Sequence, residues 1–113
     1  MHAADTNAEL LSLMQEQGDD LAAPRDIDFF VIFATRPQAE AFAGLAAAVL
    51  ELPARVASWE KTDKWQVSLT RHMAPDHAQL NQLEKQIAAL ARQHGGDADG
   101  WGCPRVSRDT GLR

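Results

Sequence analysis

The side chains of this chain that could do chemistry are one cysteine, four histidines and sixteen carboxylates spread over 113 residues. A nucleophilic Cys103 would need a base, with His72 and His77 as the candidates. It would also need an activating environment. Cys103 stands directly before Pro104 with no nucleophile signature around it, so the expected role is structural. His72, Asp76 and His77 cluster at one junction, but two histidines five apart with Pro75 between them do not make the His-x-x-x-His spacing of a helical metal site. Asp26 with Asp28 and Asp97 with Asp99 are i, i+2 pairs. On a strand each pair shares a face, as acid–base work requires. Both pairs also flank element ends, where carboxylates are simply solvated. Gly95-Gly96 follows a helical pattern instead of opening one, so it offers no anion-binding helix start. The expectation is no catalytic residue, no metal and no cofactor.

What remains are surfaces. Net charge is −5, and its placement matters. Residues 1–28 hold seven acids against the single base Arg25, a net of −6, and the remainder carries ten bases and nine acids. Phosphate backbones attract basic faces, so direct nucleic-acid binding is not expected. An acidic arm suits a basic protein partner, with Asp19 and Asp20 as candidate contacts. Trp59, Trp65 and Trp101 all fall on expected strands. A base-stacking platform is conceivable on such a sheet, but the basic-Gly-aromatic run of RNA-recognition modules is absent. Core packing is the better expectation for Trp65. Trp101, between two glycines at the end of the fold, is the first candidate for a partner contact, together with Asp99 and Gly100.

These residues need elements to position them. Thr6-Asn7-Ala8-Glu9 has the form of a capping box, and Leu10, Leu11 and Met14 follow at helical spacing, so a helix is expected over about 7–17 with Gly18 as its stop. Residues 19–25 read as a linker. Residues 27–34 form the strongest strand, with Phe29, Val31 and Phe33 on one face and Phe30 and Ile32 on the other. Both faces are apolar, the mark of a strand covered on two sides. Thr35-Arg36-Pro37-Gln38 starts a second helix, whose stripe runs through Phe42 and ends by Pro53. Residues 54–60 and 64–72 read as two strands. Pro75-Asp76 opens a third helix carrying Leu80, Leu83 and Ile87, which Gly95-Gly96 ends. A last strand follows through Asp99-Gly100-Trp101. The core is expected to contain Phe29, Val31, Phe33, Phe42, Trp65, Leu83 and Ile87.

The order is helix, strand-helix-strand, strand-helix-strand. That is the α+β plan of a ferredoxin-like split βαβ sandwich (βαββαβ) with an extra N-terminal helix. The division expected is residues 1–25 as helix and linker, 26–103 as the ferredoxin-like domain and 104–113 as a flexible tail. Right-handed crossovers put both later helices on one sheet face. The other face, at Phe30 and Ile32, must then be covered by the N-terminal helix or by a second subunit.

The leading helix with its Gly18-Asp19 exit, the hydrophobic strand at 29–33 and the Asp-Gly-Trp motif at 99–101 resemble the regulator of ribonuclease E activity B family, over roughly residues 7–103. The resemblance implies a noncatalytic domain, not an enzyme, that binds a protein partner, ribonuclease E, and alters RNA turnover by contact. The chain departs from that family at its end, where residues 104–113 carry three arginines against one aspartate in place of an acidic tail. A second reading is a dimeric ligand-binding or enzymatic ferredoxin-like domain with its pocket at the open sheet face. The N-terminal residues lack the basic start and apolar run of a signal peptide, and no run is long enough to span a bilayer. The expected setting is the bacterial cytoplasm, without membrane contact.

Overall fold

The computed structural model describes residues 3–59 and 62–103. The tail expected at 104–113 lies outside them. The elements are α1 (Ala3–Glu16), β1 (Arg25–Phe33), α2 (Arg36–Val49), β2 (Ala54–Ser58), β3 (Trp65–Met73), α3 (His77–Arg92) and β4 (Asp97–Gly102). The result is a mixed α+β structure in which three helices accompany a four-stranded sheet of order β2-β3-β1-β4. Every neighbouring pair of strands is antiparallel.

The helix ends follow from local chemistry. Thr35 caps α2, its hydroxyl accepting from the Gln38 amide at 3.4 Å, and Pro37 sits in the first turn, where its missing N–H costs nothing. Asp76 caps α3 by accepting from the Gln79 amide at 2.9 Å. The last turns of α1 and α3 close in the same way. Asp19 N donates to Met14 O and Gly18 N to Gln15 O, while Gly96 N donates to Ala91 O and Gly95 N to Arg92 O. Both are Schellman motifs, with the left-handed residue supplied by Gly18 (φ 90°) and Gly95 (φ 77°). Gly96 is required for a different reason: a Cβ there would sit 2.4 Å from the Phe33 ring.

The helix α1 begins earlier than its sequence suggests. It starts at Ala3, so Thr6 lies within it and not at its first position. Trp59 also departs from expectation, standing just beyond β2 and exposed.

One face of the sheet carries the core. Ile27, Phe29, Val31 and Phe33 of β1 and Val67 and Leu69 of β3 are buried against Phe42 of α2 and Leu80, Leu83 and Ile87 of α3. The helices α2 and α3 touch each other and the strands, which places both on this face. Trp65 is half-buried at the rim, with the Arg36 guanidinium 5.4 Å from its ring centroid.

The opposite face holds Phe30 and Ile32 opposite Ser68 and Gln66. The expectation that the N-terminal helix covers this face is corrected: α1 packs on α3, and its Leu11 joins the same core as α2 and α3. On this face Phe30, Gln66 and Ser68 are half-buried. Ile32 is only 7% exposed, and the Phe30 ring lies over Gly102, where a Cβ would meet it at 3.9 Å.

Candidate partner-binding surface

The Gly18 turn at the end of α1 reverses the chain and sends Asp19 inward. There its two carboxylate oxygens accept from Nη1 of Arg25 at 2.8 and 2.9 Å. Asp19 and Arg25 are 2% and 3% exposed. Arg25 also holds the loop between them. Its Nη2 donates to the carbonyls of Asp20 at 2.6 Å and Ala23 at 3.1 Å, and its Nε donates to Ala23 at 3.2 Å. A planar fork that satisfies a carboxylate and two carbonyls is the geometry in which a buried arginine is tolerated. Asp19 therefore works inside the protein, fixing the linker between α1 and β1, and does not face a partner. The Asp20 side chain accepts from the Ala22 amide at 3.1 Å on the outside of the same loop.

On β4 the register with β1 shifts between Phe29 and Val31, so that Asp99 and Gly100 together oppose Phe30. This is a β-bulge, and Gly100 takes its left-handed position with φ 97°. The bulge leaves Asp99 exposed and sets Trp101 opposite Phe29, on the face that the helices cover. The Trp101 ring N–H donates to Oδ1 of Asn7 at 3.1 Å. Asn7 in turn donates from Nδ2 to Asn81 Oδ1 at 2.5 Å and to Glu84 Oε1 at 2.7 Å, and Asn81 Nδ2 lies 3.0 Å from His77 Nε2. A single buried asparagine, 5% exposed, thus joins α1, α3 and β4.

Beside this joint is a hollow of about 240 Å³ lined by Leu10, Met14, Asp19, Trp101, Gly102 and Cys103. Leu10 at its edge is 38% exposed, and Leu13 further round α1 is 50% exposed, with Glu9 and Glu16 exposed beside Leu13. The surface therefore combines apolar side chains with carboxylates. Burial pushes the Cys103 thiol up, more than the neighbouring Arg25 pulls it down, so it is a neutral thiol at physiological pH and a poor nucleophile. The histidines are engaged elsewhere, His72 with Asp26 at 2.9 Å and His77 with Asn81. Asp28 accepts from the Thr70 hydroxyl at 2.6 Å, so both Asp26 and Asp28 act across strands. Among the described residues no group of three or more metal-ligating side chains is assembled.

A family model described as "Regulator of ribonuclease activity B", RraB, matches residues 4–103. The chain belongs to the RraB family. No curated protein matches it. RraB is a family of regulators of ribonuclease activity, and the matched span takes in α1 from its first turn and ends at Cys103, beside the hollow. No helix among the described residues is long and apolar enough to cross a membrane.

Of the expected contacts, the structure brings Trp101 and Gly100 together at the bulge beside α1, leaves Asp99 in solvent and draws Asp19 inside. Sequence reasoning missed Asn7, because the Thr-x-x-Glu pattern around it suggested a different use. It also missed Leu10 and Leu13, because helical spacing alone does not say which leucines face outward.

Proposed function

We propose that this chain is a noncatalytic protein-interaction domain that regulates RNA turnover by binding a ribonuclease of the ribonuclease E type in the bacterial cytoplasm. The observation that carries this is the exposed surface of α1 and the neighbouring end of β4, apolar at Leu10, Leu13 and Trp101 and rimmed by carboxylates, in a member of a family of ribonuclease regulators. Trp101 lines this surface, and on this reading Gly100, Asp99 and Asp20 extend the contact from the neighbouring bulge and loop. Asp19 supports it from within. The acid rim disfavours direct contact with RNA phosphates.

The order βαββαβ after α1, with strands in the sequence β2-β3-β1-β4, supports a ferredoxin-like split βαβ sandwich with α1 as an extra helix. The competing reading, a dimeric ligand-binding or enzymatic domain with its pocket at the open sheet face, draws less support. Ile32 is already 7% exposed in the single chain, so little apolar surface there seeks a cover.

The test is cleavage of a fluorogenic RNA by purified ribonuclease E with increasing amounts of the chain, at low and high salt. Slowed cleavage that is relieved by salt is expected, because exposed charge attraction is screened over about 10 Å at 0.1 M. Unchanged cleavage together with no capture of the nuclease overturns the proposal.

A further inference from the structure

We infer that the outer face of α1 is the seat of a basic amphipathic helix of the partner, an inference that rests on reading the chain as a regulator acting by protein contact. The helix α1 turns Asn7, Leu11 and Met14 toward the body. Its outward side carries Glu9, Leu13 and Glu16, with Leu10 on the flank beside Met14. Leu10 and Leu13 are i, i+3 neighbours and stand up as a ridge. On one side of that ridge lies the hollow bounded by Leu10 and Trp101. On the other the surface of the helix is open, with Glu9, Leu13 and Glu16 along it. A ridge beside a groove is a shape that receives the side chains of another helix.

Charge selects the occupant. The helix α1 has no lysine, arginine or histidine along its length, and Glu9 and Glu16 stand one turn to either side of Leu13. A partner helix with apolar residues at i, i+3, i+4 and i+7 and Lys or Arg beside that stripe meets leucine with leucine and carboxylate with cation. An acidic helix would be repelled, as would a nucleic-acid backbone. An added strand is disfavoured as well, because the adjacent edge β4 is interrupted by its bulge at Asp99-Gly100. Two leucines form a small apolar centre, suited to a contact that forms and releases.

The test uses the full chain and a labelled synthetic 18-residue helix, with leucines in that stripe and lysines flanking it, read by fluorescence anisotropy. The comparison peptide has glutamate at each lysine. The lysine peptide is expected to bind, about tenfold more weakly to Leu13→Asp, more weakly to Glu9→Lys/Glu16→Lys, and more weakly in high salt. The glutamate peptide is expected not to bind. Because Leu13 is exposed, circular dichroism of Leu13→Asp should match the parent. Three results overturn the inference: neither peptide binds, both bind alike, or Leu13→Asp binds as the parent does. A concentration-dependent dimer of the parent that Leu13→Asp abolishes would overturn it too, by making a second copy the occupant. Ribonuclease E binding that Leu13→Asp leaves unchanged sinks the inference and leaves the regulator reading standing. Peptide binding as expected without any ribonuclease E binding supports the surface and sinks that reading instead.

Discussion

The helices α2 and α3 differ from α1 in how each is held to the protein. The first two bury apolar side chains deeply: Ala39, Phe42 and Ala46 on α2, and Leu80, Leu83, Ile87 and Ala91 on α3. Among its described side chains, α1 buries Leu11 and the polar Asn7 and leaves Leu10 and Leu13 exposed. Hydrophobic contact is non-directional and large, while a hydrogen-bonded asparagine is directional and modest in net worth. The contrast separates two tasks. The α2–α3 layer holds the sheet together, while α1 is tied to α3 and β4 by a polar joint and keeps Leu10 and Leu13 exposed.

That contrast can be broken or sharpened by substitution. The largest effects belong to the interior. Phe42→Ala empties a site with no exposure and should cost about 3–5 kcal/mol in denaturant titration. Asp19→Ala should cost a comparable amount, about 3–5 kcal/mol, because it strands the Arg25 cation in a buried site. Replacing the pair together, Asp19→Leu with Arg25→Met, should recover much of the loss. A double variant no more stable than Asp19→Ala would show that the loop carbonyls held by Arg25 matter more than the pair itself.

Asn7→Ala comes next. It leaves the Trp101 ring N–H without its acceptor and Asn81 and Glu84 without their donor, at about 1–3 kcal/mol. Hydrogen exchange should speed up in α1 more than in α2. Equal acceleration in both helices would mean that α1 is not held separately. The smallest effects belong to the surface. Leu13→Ala should change stability by no more than about 0.5 kcal/mol, whatever it does to binding. Gly44→Ala should stabilise α2 by about 0.5–1 kcal/mol, since nothing lies within 4 Å of the added methyl.

The elements that sequence placed well are those whose signals were local. Alternation of Phe29, Val31 and Phe33 needs no partner to be recognised as strand. Thr35 before Pro37 and the Gly95-Gly96 pair act within one turn of themselves, and both stand where the structure puts them. Trp101 was marked by its glycines, and Gly100 proves to be the bulge residue. What was hidden depended on distant parts of the chain. Asn7 owes its burial to α3 and to Trp101, 94 residues away, and nothing in its own neighbours records that. Asp19 looked like one more surface acid because its partnership with Arg25 exists only after the Gly18 turn folds it inward. The order of the strands, which leaves Ile32 nearly covered without help from α1, is likewise a property of the sheet as a whole.

The position of β1 has a consequence for how the chain is made. One of its neighbours, β3, is joined to it through α2 and β2, and the other is β4, the last strand among the described residues, with Asp28 set opposite Gly102. Pairings so far apart in sequence are slow to form, because a long loop must close before they give anything back. While a ribosome still holds residues 97–102, β1 has an open edge and Asn7 has no indole to bind. The joint that ties α1 to β4 is therefore a late product of synthesis: a growing chain carries Asn7 and Leu10 early but can set Trp101 beside them only after β4 has emerged.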